Sequence, residues 1–591
     1  MRDVIVIGAG GGGPVVAKEL AARGLDVLLL EAGPRHASPR SEWTHFENDA
    51  NNPLTGYLRF GPADRTKPAW FRETPQNSYV LQVSGVGGTT QHYFANSPRA
   101  YPGAFAGYAG PDRDSYDVAH RFPFTYQELV PYFEWVEATL PVQTAAMGKK
   151  ERVFFDGCEA IGLPVQTTKT THGDSFRPQE NAILQPGGHA GLTRDPARLR
   201  YPLSTGCTLC GYCMQGCMQP VQAPRNLFAK RSTDNSYVPM ALTADAWAPG
   251  GRPITLVTDA FATRVHTEPR NGELVASAVT WRVGATGEQH TETARVIVMA
   301  AGTTETPRLW FNSGLPNPND WVGRGYTDHY FDFVVGLFDK DTDSSKGPAS
   351  AARAEFPGRG GMENIGLGPA LQAFAMQLSD SGSRGHYTNG RGMTGPWDGP
   401  AGRPIGPELK DALMNGVNRL LNILVITDDD VEAQNRVVPS ALPPDEHGPV
   451  PKVIFQPSTR SARTRANREL LSRKAAEILR GAGARKIFRL DWGPLILHVQ
   501  STMRMGHDAA DSVLDASAEA RWVKRLFIAD NSALANSLGS PNPTLTTQAL
   551  ATRTAEKIFQ RYFGGAPWVG QESPVSSIDP AVTQAVVARG L

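Results

Sequence analysis

This chain is short of several features, and each shortage excludes something. No apolar run approaches the ~18 residues a membrane-spanning helix needs, so no span is expected. Neither sign of charge is in excess: 59 Lys and Arg stand against 58 Asp and Glu, for a net charge of +1. There is no long basic run, which argues against nucleic acid or an acidic membrane surface as partner. Cysteine is scarce, at five in 591 residues, and four of the five crowd into 207–217. A disulfide framework would scatter them, so the cluster reads as a cofactor or metal signal. C-x-x-C-H is missing, and with it any c-type haem on this chain. No segment repeats at a fixed period. The first strand opens at Val4, which leaves no room for a cleaved leader. The expected compartment is therefore the cytoplasm, with export only alongside a signal-bearing partner.

Glycine and proline, by contrast, are plentiful at 60 and 46 residues, enough for many turns and long loops. With 40% hydrophobic and 20% charged residues the composition is that of a globular protein. A chain of 591 residues outgrows one core, so two closely packed domains are expected.

The N-terminal stretch organises the rest. Val4–Ile7 is a short β-branched run, followed by Gly8, Gly10 and Gly13 as G-x-G-x-x-G. A helical pattern covers Val15–Ala22, and a second apolar run, Val27–Leu30, ends in Glu31, eighteen residues past Gly13. In this strand–turn–helix–strand–acid order, Gly8 permits the turn, Gly10 lets backbone approach a pyrophosphate, and Gly13 lets helix pack on strand. The helix N-terminus offers N–H groups and positive dipole to phosphate, and Glu31 can accept from a ribose hydroxyl. Dinucleotide binding follows.

The cysteines run Cys207-x2-Cys210-x2-Cys213-x3-Cys217. That is the bacterial ferredoxin spacing, with Met218 where proline usually follows. Short gaps let one loop wrap a compact cluster. Structural zinc takes two C-x2-C pairs with a longer spacer, and no distant second pair exists here. An iron–sulfur cluster is the leading reading, as 3Fe-4S or 4Fe-4S; zinc and free or disulfide-paired thiols are the alternatives.

A second glycine loop, Val86-Gly87-Gly88-Thr89-Thr90-Gln91-His92, resembles that of the glucose–methanol–choline oxidoreductases. It is most similar to the branch of pyranose oxidase and the large subunits of glucose, gluconate and fructose dehydrogenases. The resemblance is strong over Asp3–Pro98 and His498–Phe559, weaker at 295–329. It implies an α/β fold (α+β overall): a discontinuous Rossmann-like FAD-binding domain from 1–100, 225–330 and 495–562, and a sheet-plus-helices substrate domain from 101–200 and 331–494. The cysteine loop at 201–224 and a tail at 563–591 complete the chain. FAD contacts are implied at Gly87, Gly88 and Thr89. His92 becomes the flavin's covalent tether, its hydrogen-bond partner, or a packing residue of the loop. Ala262, on the strand Phe261–Val265, falls near the adenine. Ala301 and Gly302 end the RVIVMAAG strand, and Asp530 and Asn531 end the strand Leu526–Ala529. Members of this branch also carry an iron–sulfur cluster, in agreement with the cysteine spacing.

In the family, the N-P-T-L-T segment puts its first residue beside the flavin and points a helix N-terminus at the pyrimidine ring. Here that segment begins Asn542-Pro543-Thr544. On spacing alone Asn542 is a helix N-cap; the resemblance makes it a catalytic amide. His498 falls where the family has its base, and Gln500-Ser501 departs from the glycine-containing pair that usually follows it. The implied reaction is oxidation of an alcohol or sugar CH–OH by hydride transfer to flavin N5, with a neutral imidazole taking the hydroxyl proton. A dehydrogenase passing electrons through the cluster to a protein or quinone acceptor, with a small subunit as candidate partner, is favoured over an oxygen-using oxidase. A non-catalytic flavin carrier is the third reading. Elsewhere Thr125–Glu137, Leu409–Ile426 and Ser461–Gly481 contain helical patterns, Gln143–Leu199 shows no period, and Trp397, Trp492 and Tyr387 offer faces to a sugar, although packing is the plainer expectation for each.

Overall fold

The computed structural model describes residues 1–36, 83–186, 206–378, 394–398 and 406–591, except 215, 218, 221–222, 285, 442–443, 446 and 492–494, together with the short strands Arg59–Phe60, Phe71–Arg72 and Tyr79–Val80. The expected strand–helix–strand opening forms: β1 (Arg2–Ile7), α1 (Gly13–Ala22) and β2 (Val27–Leu30). Both strands read as unbroken apolar runs because both faces are covered; Val4–Val6 and Val27–Leu30 are at most 1% exposed.

β1 pairs in parallel with β2 on one side and with the strand Gln289–Met299 on the other, Val4 opposite Val27 and Val296. Thr255–Val257 and Leu526–Ile528 extend the parallel sheet at its two edges. The N-terminal half of Gln289–Met299 instead joins an antiparallel meander with Ala260–Arg270 and Glu273–Val283. One long strand thus serves two sheet types, and it ends beside β1 at the glycine turn.

A second sheet has six antiparallel strands in the order Lys486–Arg489, Asp332–Leu337, Leu420–Thr427, Gly360–Ile365, Ala352–Phe356 and Ser175–Pro178. The helix Ala462–Gly481 covers one face, burying Leu471, Ala475, Ile478 and Leu479 against Val334, Leu421, Ile423 and Val425. Its N-cap is Ser461, whose hydroxyl accepts from the Thr464 amide. On the other face, residues in register form a row: Phe333, Leu424, Glu363, Arg353 and Arg177. Three of these five residues are charged, and all five are buried.

Three expectations need correction. Within Gln143–Leu199 lies the helix Lys149–Ala160, whose Phe154 and Cys158, four apart, are both fully buried; its charged partner face hides the period. The helix Tyr126–Thr139, assigned by sequence to the substrate half, packs into the first core. Its Trp135 indole donates to Glu19 of α1 at 2.8 Å and Tyr132 to Glu556 at 2.6 Å. The final segment is no loose tail: Trp568 is 1% exposed and Pro580–Arg589 is a helix capped by Asp579. Trp397 is buried beneath the Arg489 guanidinium, 4.8 Å from its ring centre, so it packs. Trp492 and Tyr387 lie outside the described residues. No described helix is long and apolar enough to cross a membrane.

Candidate active site

A cavity of about 310 Å³ opens at the C-terminal end of β1 and runs between the two sheets. One end is built by the N-terminal fingerprint. A Cβ on Gly13 would sit 1.9 Å from the Gly8 carbonyl oxygen, so only glycine lets α1 approach the strand this closely. At Gly10 a Cβ would meet no atom within 4 Å, because the residue faces the cavity. Gly88, at φ +48°, stacks the second glycine loop on the first: its Cβ would lie 2.8 Å from the Gly10 Cα. Two backbone loops therefore form a cradle with room for a pyrophosphate and the uncapped start of α1 behind it.

Most of the sequence-derived cofactor residues meet on this surface. Gly8, Gly10, Glu31, Gly88, Thr89, His92, Ala262, Ala301, Gly302, Asp530, Asn531, Pro543 and Thr544 all line the cavity. Gly13 and Gly87 do not. Gly13 acts through packing, and Gly87 donates to the Ala9 carbonyl at 2.8 Å while its own oxygen accepts from Thr90. Glu31 has more to do than hold a ribose: its carboxylate accepts from the Ala9, Gly33 and Gly85 amides at 2.8–2.9 Å. Burial pushes it up to about 7 against the pull of those amides. Three of its four lone-pair positions are used, leaving one on Oε2. Asp530 likewise ties segments together, accepting from the Gly302 amide at 2.9 Å and the Thr306 hydroxyl at 2.6 Å.

The other end carries His498 and Asn542. His498 follows the short strand Leu495–Ile496 by two positions; Asn542 precedes the helix Thr544–Phe563. That helix starts on Pro543, at φ −73° and ψ −17°, and no side chain caps it. Asn542 is thus not the N-cap that spacing alone suggested. Its Nδ2 lies 3.5 Å from His498 Nε2, its Oδ1 accepts from Arg353 Nη1 at 3.4 Å, and its amide also bonds Glu363. Burial holds His498 well below the ordinary imidazole range, helped by the nearby His329 ring and the Arg353 charge. Glu363 is raised to about 7, chiefly by burial, with Arg353, Asn96 and Asn542 opposing. Ser501, where the family has glycine nearby, adopts φ +74°; a side chain in that region costs about 1–2 kcal/mol.

The four cluster cysteines sit against the flavin loop. Lys230 is 1% exposed and its ammonium donates to the carbonyls of Gln91, Tyr93 and Cys213 at 2.6–2.9 Å, tying the two loops together. His92 Nδ1 bonds the Met214 carbonyl at 3.0 Å, and Met214 itself lines the cavity. Burial, and then the Lys230 charge, push His92 down to about 3, so it is neutral. Cys207, Cys210, Cys213 and Cys217 lie within electrostatic reach of one another. Among the described residues no three metal-binding side chains come close enough to share one ion.

Sequence reading missed His329, Arg353 and Glu363. His329 Nδ1 meets His498 Nδ1 at 2.8 Å, and Arg353 and Glu363 form the floor beneath Asn542. A signal existed for the last two. Charged residues at inward positions of the strands ARAEF and GGMENI need buried partners.

Two regions, 168–331 and 458–551, match the GMC oxidoreductase family, and 3–44 matches an FAD binding domain. The chain is 26% identical to the fructose dehydrogenase large subunit of Gluconobacter japonicus over 94% of this chain and 97% of that one. It is also 26% identical to the paromamine 6'-oxidase of Streptomyces fradiae, covering 94% and 91%, and to the 2-methyl-1,2-propanediol dehydrogenase of Mycolicibacterium austroafricanum, covering 95% of each. The fold is similar to that of pyridoxine 4-oxidase from Mesorbium loti, with a TM-score of 0.60 and 16% identity over 96% of this chain and all of that one. With the dinucleotide cradle, the shared architecture and these matches at both ends, the chain belongs to the GMC oxidoreductases and binds FAD.

Proposed function

We propose that this protein is an FAD-dependent dehydrogenase that oxidises a CH–OH group of a sugar, glycoside or polyol to a carbonyl. The observation that carries the reading is the meeting of His498 Nε2 and Asn542 Nδ2, 3.5 Å apart, on the wall of the cavity that the two glycine loops floor. FAD in that cradle supplies the hydride acceptor, N5. His498 takes the hydroxyl proton as the carbon gives up its hydride. Asn542 donates to the same oxygen and turns the C–H toward the ring. The uncapped start of Thr544–Phe563 sets positive dipole where charge develops. His92 is the flavin's tether or its hydrogen-bond partner.

His498 is held well below the ordinary imidazole value by burial. It therefore stays unprotonated, and competent as a base, at pH values where an exposed imidazole is charged. Anaerobic flavin reduction should keep its rate as pH is lowered through ~6.5, the ordinary imidazole midpoint. Stopped-flow absorbance across that range measures it; a rate lost with a midpoint there would remove this environment from the account.

For the oxidative half-reaction we favour exit through a cysteine-held iron–sulfur cluster to an external acceptor. The support is proximity: Met214, next to Cys213, lines the flavin cavity. The thiol spacing also suits a cluster better than zinc. A lone zinc needs its ligands gathered on one ion; a cluster's iron and sulfide stand between its thiolates and hold them apart. Relatives are named both as oxidases and as dehydrogenases, so the choice rests on the cysteines. Cys213→Ser should slow steady-state turnover with an artificial acceptor dye and lower bound iron, while anaerobic reduction of the flavin by substrate is unchanged. Rapid peroxide formation by the unaltered enzyme without dye would favour the oxidase instead.

A further inference from the structure

We infer that His329 is a positioning residue that fixes the tautomer of His498, through a chain of donors and acceptors running from the Ser537 carbonyl to the Arg353 guanidinium. This rests on the reading of His498 as the base. The chain is determined from both ends by groups with only one role. At one end, the Ser537 carbonyl oxygen lies 3.0 Å from His329 Nε2 and can only accept. His329 Nε2 therefore carries hydrogen. The ring is neutral, deep between two sheets and fully buried, so its Nδ1 holds a lone pair. That lone pair faces His498 Nδ1 at 2.8 Å, and the contact is a hydrogen bond only if His498 Nδ1 carries the hydrogen. The lone pair of His498 is then on Nε2.

The opposite end gives the same answer independently. Arg353 is donor-only and points Nη1 at Asn542 Oδ1, 3.4 Å away. The Asn542 amide nitrogen must then be Nδ2 on the side of His498 Nε2, 3.5 Å away. A donor faces Nε2, so Nε2 accepts. One neighbour tests the scheme: Gln500 Nε2 lies 3.4 Å from His329 Nε2, donor against donor. Gln500 Oε1 has no partner, and turning the amide over presents that oxygen to the His329 N–H, which the Ser537 carbonyl and the Gln500 oxygen then share.

The consequence is a base poised before substrate arrives. His498 Nε2 can take the hydroxyl proton only if its hydrogen already sits on Nδ1; the opposite tautomer offers an N–H where a lone pair is required. The imidazolium formed in the reaction keeps its Nδ1–H bond to His329 and carries the substrate proton on Nε2; the Asn542 N–H that faced Nε2 donates to the substrate oxygen instead, and the bonds of His329 to Ser537 and of Arg353 to Asn542 are unchanged.

The test uses the full-length holoenzyme, with flavin content checked by absorbance. His329→Leu removes the acceptor; His329→Asn offers Oδ1 at the place of Nδ1. Anaerobic flavin reduction in His329→Leu should fall by ~10²-fold or more, as wrong-tautomer variants of other His bases do, with KM little changed, and His329→Asn should recover much of it. The second measurement does not depend on how a His329 variant folds. In the unaltered enzyme labelled with 15N-histidine, His498 identified by its disappearance in His498→Ala should show a protonated Nδ1 and an unprotonated Nε2. Protonation at Nε2, or a His329→Leu enzyme reducing its flavin at the unaltered rate while His498→Ala cannot, overturns the tautomer role and leaves the base assignment standing. Unimpaired reduction in His498→Ala would instead remove the base itself, and this inference with it.

Discussion

Replacing His498 by alanine should slow reduction of the bound flavin by alcohol at least ~10²-fold, the usual contribution of a positioned general base, while the flavin stays bound. The reasoning is local. His498 sits at the end of the cavity away from the phosphate cradle, beside Phe331, whose ring centre is 5.0 Å from its own, and beside Asn542. None of the contacts that build the cradle, such as Ala9 to Glu31 or Gly302 to Asp530, passes through it. Flavin content and proton transfer are therefore separable. Without the imidazole, the hydroxyl proton has no acceptor facing the carbinol oxygen; Asn542 can only donate there. Glu363, a carboxyl on the cavity wall, is occupied by Arg353 and Asn96. Rapid mixing without oxygen, following the flavin's absorbance, reads the step directly. A variant that bleaches its flavin as fast as the unaltered protein would show that the proton leaves by another route.

Arg353→Met should cost about 3–5 kcal/mol of stability, the usual penalty for removing one partner of a buried ion pair. Arg353 is fully buried, within 2.9 Å of Glu355 and 3.3 Å of Glu363, and both carboxylates are fully buried too. Methionine fills much of the volume but answers neither charge. Arg177 still pairs with Glu355, so the larger loss falls on Glu363. That carboxyl stands at about 7 even with Arg353 present. A carboxyl raised in the folded state favours the fold when protonated, so stability falls as pH climbs from its ordinary value toward the raised one. Loss of Arg353 raises Glu363 further. The deficit of the variant should accordingly grow as pH rises through about 7 and shrink below it. Denaturant unfolding at several pH values measures both statements, and Glu363→Gln in the same background should return part of the loss. A deficit under about 1 kcal/mol at every pH would mean that water or a rearranged neighbour takes up the charge, outside the range expected for a buried pair.

The two predictions differ in how far sequence alone could have reached them. His498 and Asn542 are found by their place in a family pattern, and the turn residues around them strengthen it. Arg353 lies on a strand with no motif, 189 positions from the Asn542 it holds. His329, 169 positions from His498, stood in a segment read only as a way out to the second sheet. Asn542 shows the reverse error: local pattern made it a helix cap, and long-range partners took its side chain instead. Ser501 is a third kind of case. Its departure from glycine was visible, but its strained φ of +74° was not.

Sequence by itself determined the N-terminal β–α–β cradle, and it offered His498, Asn542 and the cysteine run as candidates. The cradle is set by short-range physics: apolar period, the conformational reach of glycine and the start signals of helices. Tertiary structure alone decided that Glu31 staples three backbone amides, that Lys230 ties the cysteines to the second glycine loop, and that His329, Arg353 and Glu363 surround His498 and Asn542. Buried polar groups must find partners wherever the fold brings them, and those partners are neighbours across sheets, not along the chain.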